Sequence, residues 1–313
     1  MKKVTIRGTD LEVFPIGLGT NAVGGQKYYP DITDEDGRAF LRTALTEGVD
    51  FWDTAFTYGP MRSETIIGEV LHAENARNKV VLASKAAHRF TDNGVEFDNS
   101  PEFLERAVEE SMDRLQTDWI DLFYIHYPDE DTPKYEAVGA LERLKEKGII
   151  RAIGVSNFSA EQLAEANQDG YVDVVQDHYN LLHRSAEEIL FPYIRENNMS
   201  FVPYFPFASG ILAGNYTLET TFAEGDTRLK KADFQGEKWQ TNLEKVDQLR
   251  EIADAKDVDV AHLVLAWYLT RNEIDVVIPG AKRTTQVINN MKAAEVELEE
   301  SEIIVIDGLF REQ

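Results

Sequence analysis

Four side chains in this sequence, Asp53, Tyr58, Lys85 and His126, have the types and spacing of a proton-donating site. Asp53 and Tyr58 lie in FWDTAFTYG (51–59), Lys85 in VVLASKAAH (80–88) and His126 in DLFYIHYPD (121–129). In each segment a short apolar run gives way to a loop, so the four groups stand at consecutive strand ends. A lysine closing an apolar strand is costly to leave unpaired, and Asp53 is its natural counter-ion. Taken singly, each residue reads as half of a buried ion pair or as an ordinary interface tyrosine. Taken jointly, at three successive strand ends, they read as catalytic. The chemistry they suit is reduction of a carbonyl. Hydride arriving at the carbonyl carbon builds negative charge on oxygen, and a nearby acid must supply a proton. A phenol has an ordinary pKa of about 10, and a neighbouring ammonium is expected to bring it closer to working pH. Lys85 fills that place, Asp53 holds it charged and oriented, and neutral His126 donates a hydrogen bond that positions the substrate oxygen. No side chain supplies hydride, so a nicotinamide cofactor is required.

Bringing four such groups together takes strands that end on one face. Strand-like runs occupy 14–19, 50–55, 80–85, 120–126, 150–156, 172–176, 200–204 and 275–279. Helical patterns lie between them at 33–47, 101–115, 134–147, 159–168, 186–197 and 243–256. Thr33 reads as an N-cap with Asp36 three residues on, and Gly48 as the stop. Eight strand runs with intervening helices predict an α/β fold, a closed (β/α)₈ TIM barrel whose C-terminal strand ends share one catalytic face. The opening 4–13, with Gly8, Thr9 and Asp10 in its middle, reads as an N-terminal β-hairpin plugging one end of the barrel. The stretch 301–310, capped by Ser301, reads as a C-terminal helix. One connection is long: 205–240, rich in Gly, Thr and charge, follows the seventh strand on the catalytic face, and loops of that length are usually functional or mobile. No linker or repeat divides the chain, so 1–313 reads as one barrel domain.

Composition narrows the field of functions. A chain of 313 residues buries roughly three quarters of its unfolded surface and needs no disulfide or metal to hold a core. Cysteine is absent, which removes thiolate nucleophiles and thiolate metal sites and suits a reducing cytoplasm. No metal site is read. The start MKKVTIRGTDLEVFPIGLG is too interrupted by Thr5, Arg7, Thr9, Asp10 and Glu12 for a signal peptide, and nothing later approaches a membrane span. The sequons at Asn157 and Asn215 therefore read as chance matches, and the expected location is cytoplasmic. A formal charge of -24 argues against nucleic acid or anionic membrane as partners and reads as plain solubilisation. No obligate protein partner is evident. The expected partner is a small-molecule carbonyl substrate.

The cofactor readings lie mainly in the second half of the chain. Gly17-Leu18-Gly19-Thr20-Asn21-Ala22 satisfies the loose dinucleotide pattern GxGxxA, but that pattern demands a helix next, and a Gly-rich, Pro-containing loop follows instead. Ser156 and Asn157 close the fifth strand with hydroxyl and amide groups suited to a carboxamide, and Gln176 closes the sixth in the same way. Tyr204, ending the seventh, offers a ring face for stacking on nicotinamide. The segment IPGAKRTT (278–285) then leads into a helix carrying Gln286 and Asn290. A helix N-terminus beside two cations, Lys282 and Arg283, is a phosphate site. Around the carbonyl itself, Tyr28, Tyr29, Phe56 and Tyr127 are candidates for an aromatic pocket accepting small aldehydes or ketones.

Taken together, DTAFTYG, the strand-end lysine, YIH, GVSNF and IPGA occur in the order that resembles the aldo-keto reductase superfamily, over essentially the whole chain. The wording of GLGTNAVGG, FDNSP, YIHYPDE and IPGAKR is similar to a bacterial branch typified by a member encoded beside inositol-catabolism genes. The resemblance implies a (β/α)₈ barrel binding NADPH/NADP+ across its C-terminal mouth. It implies Tyr58 as general acid, with Lys85, Asp53 and His126 completing a tetrad. By the same resemblance Gly19, Thr20 and Gly280 border the cofactor, Ser156, Asn157 and Gln176 hold its carboxamide, and Tyr204 stacks on its ring. Lys282, Arg283, Gln286 and Asn290 would then grip the adenosine phosphate end. Two departures stand out. Many relatives have lysine where Gly280 stands and serine where Phe205 follows Tyr204, so the 2'-phosphate is left to Lys282 and Arg283. The implied activity is NADPH-dependent reduction of aldehydes or ketones to alcohols; the alternative is an NADPH-binding redox sensor with little turnover.

Overall fold

A computed structural model describes residues 2–25, 29, 31–92 and 94–311. Seven parallel strands form one curled sheet: β3 (Leu18–Gly19), β4 (Phe51–Asp53), β5 (Val81–Ala86), β8 (Ile120–Ile125), β9 (Ile150–Ser156), β10 (Val174–His178) and β11 (Ser200–Tyr204), neighbours in that order. The expected eighth strand at 275–279 makes no continuous ladder. It closes the barrel through single bridges, Ile16 with Val277 and Gly19 with Gly280, while on its other side Phe201 N donates to Glu273 O at 2.7 Å. The first strand shortens to match. Pro15 has no N–H to offer a ladder; Phe14 N donates to Asp50 Oδ1, and 15–17 pair with the eighth run at Val277. This is a (β/α)₈ barrel with its helices outside.

The opening hairpin, β1 (Val4–Thr5) paired antiparallel with β2 (Glu12–Val13), turns through a Thr9 that donates to Ile6 O and accepts from Leu11 N. It sends Ile6, Leu11 and Val13 into the barrel interior, where they join Phe51, Leu122, Val174, Val202 and Val276 in a core separate from the one beneath the helices. The N-terminal end is therefore stoppered with apolar side chains.

Local chemistry sets the helices. In α1 (Asp34–Glu47), Thr33 accepts from Asp36 N while Asp36 accepts from Thr33 N, and Gly48 ends the helix at φ 77°, where a side chain would be strained. α2 (Arg62–Ala73), α3 (Pro101–Leu115), α4 (Lys134–Glu146) and α5 (Ala160–Ala166) follow. The predicted helix over 186–197 is broken at Leu190 into α6 (Ala186–Ile189) and α7 (Phe191–Glu196), because Pro192 lacks the N–H needed to continue the first segment. The next helix, α8 (Gly236–Ala255), begins well before the predicted Leu243. α9 (Val260–Leu269) is apolar on nearly every side and buried, so it carries no amphipathic signature. α10 (Thr284–Met291) leads to α11 (Glu300–Phe310), which is capped by Glu299 with Glu302, not by Ser301.

Two segments depart from expectation. A hairpin, β6 (His88–Thr91) with β7 (Gly94–Phe97), rises from the end of β5. The long connection after β11 is structured, with 3₁₀ turns at Ala208–Ala213, Thr227–Lys230 and Ala232–Phe234. Tyr216, Phe222, Phe234 and Trp239 pack there around the Arg228 guanidinium. Residues 21–24 form turns, so the GxGxxA segment is not followed by a helix.

Candidate active site

The parallel register delivers the four chemical residues to one end of the barrel. Asp53 is the last residue of β4, Lys85 is the fifth of β5, and His126 follows β8 directly. Lys85 is fully buried. Its Nζ lies 2.5 Å from Asp53 Oδ1 and donates to the Thr54 carbonyl at 2.8 Å. The same Nζ sits 5.4 Å from the centroid of the half-buried Tyr58 ring, and that ring meets His126 edge-on at 6.3 Å. The four side chains therefore form one contiguous group at that end of the barrel. Behind them, buried Glu64 accepts from Ser84 and pairs with Arg114 at 2.6 Å.

The electrostatics correct one expectation. The Tyr58 hydroxyl is not brought toward neutral pH; loss of water around it, and next the Asp53 carboxylate, push it well above the ordinary phenol value. Burial is the main reason, and the Lys85 charge that would oppose it is paired with Asp53. Desolvation also lowers the Lys85 ammonium, opposed by Asp53 and Glu64. His126 is held well below the ordinary imidazole value by burial, by Lys85 and by His88, so it is neutral, as the sequence suggested. Its Nδ1 is buried without a hydrogen-bond partner among the described residues. The arrangement is a phenol that keeps its proton, a buried ammonium beside it and an uncharged imidazole facing both. Such a group can protonate an oxygen on which negative charge is growing, since an alkoxide is more basic than a phenolate.

The expected cofactor contacts group in two places. Near the tetrad, Asn157 adopts φ 62° and donates to His126 O and to Ser156 Oγ, both at 3.0 Å. The Tyr204 hydroxyl donates to Asn157 Oδ1 at 2.8 Å, and His178 stacks on the Tyr204 ring at 5.5 Å and 10°. Gln176 departs from its expected role: its Nε2 donates to Asp53 Oδ2 at 2.9 Å, so that donor is spent on the tetrad carboxylate. On the opposite rim, Thr20 is buried and bonded to Asp53 O, and Gly19 pairs with Gly280, where a Cβ on Gly19 would come within 2.9 Å of Ile278 O. Gln286 Oε1 accepts from Lys282 N at 2.8 Å, Arg283 stands at the N-cap of α10, and Asn290 is buried on that helix. Arg228 of the long connection comes close enough to Lys282 to add to the burial that lowers its ammonium. A hydroxyl and an amide beside a tyrosine ring at one end, and cations at a helix start at the other, fit the two ends of an extended nicotinamide dinucleotide.

The aromatic candidates for a substrate pocket fall in different places. Tyr28 lies outside the described residues. Tyr29 accepts from Asn21 at 3.1 Å with the Lys282 ammonium 4.7 Å over its ring, and it is close enough to Tyr58 to add to the rise of that hydroxyl. Phe56 packs against Phe90 and the Arg114 guanidinium, behind the tetrad. Tyr127 does border the tetrad, stacked on His126 at 5.1 Å and on Phe97 at 5.0 Å. His88 and Phe97, both from the unanticipated hairpin, complete this wall. The segment FTDNGVEF (90–97) carries an Asn-Gly turn signal between alternating apolar residues, and that signal marks a hairpin. Tyr124, beneath Lys85 in the barrel, had no signal of its own because it sits inside an apolar strand.

Comparisons with known proteins identify the family. The family model described as "Aldo/keto reductase family" matches residues 15–311. Aldo-keto reductase YhdN of Bacillus subtilis is 35% identical over 289 residues, covering 92% of this chain and 87% of that protein. An NADH-specific methylglyoxal reductase of Escherichia coli is 30% identical, with 96% of each chain covered. The solved glycerol dehydrogenase AKR11B4 from Gluconobacter oxydans superposes with a TM-score of 0.90 at 30% identity, over 98% of this chain and 94% of that one. The buried lysine and carboxylate, the tyrosine and histidine beside them and the barrel that aims them thus accompany a match along nearly the whole sequence, and the chain belongs to the aldo/keto reductase family.

Proposed function

We propose that this protein reduces small aldehydes or ketones to alcohols with NADPH as the favoured donor, using Tyr58 as the general acid. The observation that carries the reading is the Lys85 ammonium, buried against Asp53 and 5.4 Å from the Tyr58 ring, which also meets His126 edge-on at 6.3 Å. The reduced nicotinamide, when bound, supplies the hydride that goes to the carbonyl carbon. Neutral His126 donates a hydrogen bond to the carbonyl oxygen and holds it near the phenol. As that oxygen gains charge, the Tyr58 O–H bond breaks and the substrate O–H forms; Lys85 stabilises the phenolate left behind until water returns the proton. Ser156 and Asn157 hold the carboxamide and Tyr204 carries the ring. Lys282 and Arg283, with Arg228 nearby, favour an additional phosphate, which supports NADPH over NADH. One similar protein is named as NADH-specific, so the two donors are compared directly in the test. A cytoplasmic location belongs to this reading, supported by a cysteine-free sequence.

The test is Tyr58→Phe assayed on a panel of small aldehydes and ketones with each donor. The expected outcome is a fall in kcat of about a thousandfold or more, in the upper range for a general acid, with NADPH fluorescence titration showing an almost unchanged dissociation constant. Turnover that survives the substitution overturns Tyr58 as the acid. Strong NADPH binding with no turnover of any carbonyl by the unaltered protein would point to the redox sensor.

A further inference from the structure

We propose that Tyr124 is a positioning residue for the tetrad, its ring forming a second aromatic wall that fixes the Lys85 ammonium against Tyr58, and that Gly154 is the residue that admits this ring. The inference rests on the reading of Tyr58 as the acid and extends it to a side chain that touches neither substrate nor cofactor. Three observations carry it.

The first is placement: Tyr124 pairs in register with Lys85 on one side and with Gly154 on the other, and its ring is fully buried with its centroid 5.3 Å from Lys85 Nζ. Lys85 thus lies between two tyrosine rings at 5.3 and 5.4 Å, inside the range in which a ring face attracts a cation, an attraction that grows when water is excluded. Its hydrogen bonds to Asp53 and Thr54 use two of three N–H groups and leave the rest of the ammonium to these faces. The second is the space. A Cβ on Gly154 would stand 2.1 Å from Tyr124 Cδ1 and 2.4 Å from Cε1, so the ring lies across bare backbone and any side chain there would displace it. The third is the hydroxyl. Tyr124 Oη is buried near Gln176 without a hydrogen bond of proper geometry, so the ring and not the hydroxyl is what the site uses. The charged and titratable groups facing Lys85 are Asp53 on β4, Tyr58 after it, Glu64 on α2, and Tyr124 and His126 on and after β8.

The experiment reads Lys85 itself. Its ¹³Cε resonance is titrated in the cofactor-free protein and assigned with Lys85→Met. The variants are Tyr124→Phe, Tyr124→Leu and phenylalanines of increasing fluorine content at position 124, which drain the ring face while keeping its shape. Tyr124→Phe is expected to titrate as the unaltered protein does. The fluorinated rings and leucine are expected to titrate progressively lower, by about one pH unit at the extreme. The alkaline limb of kcat/KM for carbonyl reduction should follow in step, with NADPH dissociation constants unchanged. A titration indifferent to fluorination overturns the proposal, as does a shift in Tyr124→Phe equal to that in Tyr124→Leu, which would assign the role to the hydroxyl. If leucine prevents folding, the fluorinated series decides alone. Because the resonance is read without turnover, this inference can fail while Tyr58→Phe remains inactive, and the two failures are distinct.

Discussion

At the scale of the residue, His126 shows how surroundings decide chemistry. An exposed imidazole titrates near pH 6.5 and would be half charged in much of the physiological range. Here burial, Lys85 and His88 all favour the neutral form. The sign follows: a folded-state value well below the ordinary one keeps His126 neutral around the ordinary imidazole pKa, so kcat/KM should have no acid limb near 6.5. A pH profile measured with NADPH and a neutral aldehyde checks this, and a limb at the ordinary imidazole value would show water reaching the ring. Linkage runs the same way, since the unfolded chain takes up a proton below about pH 6.5 that the folded site refuses, and that contribution costs stability as pH falls. Asp53, Tyr58, Lys85 and His126 were legible because polar groups at apolar strand ends are conspicuous. Gln176 was legible as a polar strand-end residue, but its bond to Asp53 was not, because that bond joins positions 123 apart in the chain.

At the scale of the element, two helix glycines separate propensity from packing. In α2, a Cβ on Gly68 would stand 2.4 Å from Arg114 O and 2.7 Å from Leu115 C at the end of α3. In α4, a Cβ on Gly139 meets nothing within 4 Å. Helix propensity favours alanine over glycine by about 1 kcal/mol at either position. At Gly68 the obstacle is backbone, which cannot swing aside, and overpacking costs about 1–3 kcal/mol or more. Gly68→Ala should therefore lower the urea midpoint, while Gly139→Ala should raise it slightly. Equal shifts would mean that α2 and α3 part easily. Helices with capping residues and amphipathic faces, α1 above all, could be bounded from sequence. α9 could not, because a segment buried on all sides loses the periodicity that identifies a helix. The β6–β7 hairpin carried a turn signal, but its place in the wall beside Tyr127 depends on where β5 points it.

At the scale of the whole molecule, charge and closure govern. The 56 acidic residues exceed the 32 basic ones, so 24 negative charges have no counterpart, and mutual repulsion opposes the compact state. Exposed ion pairs such as Arg143–Glu105 contribute little each and are weakened by salt. Repulsion prevails in that balance, so Tm should rise by a few degrees as sodium chloride increases from about 10 to 200 mM, over which the Debye length falls from ~30 to below 10 Å. A falling Tm in a calorimetric salt series would assign the stability to ion pairs instead. The sequence by itself determined the alternation of strands and helices, the strand-end positions of the four chemical residues and the likeness to the aldo/keto reductase family, because these depend on local periodicity and ordered motifs. Only the tertiary structure decided that the eighth run closes the barrel by single bridges, that burial of Tyr58 beside Asp53 keeps the proton on the phenol, and that Tyr124 lies over Gly154 beneath the ammonium. Those outcomes follow from distances between residues far apart in the chain, which no local pattern encodes.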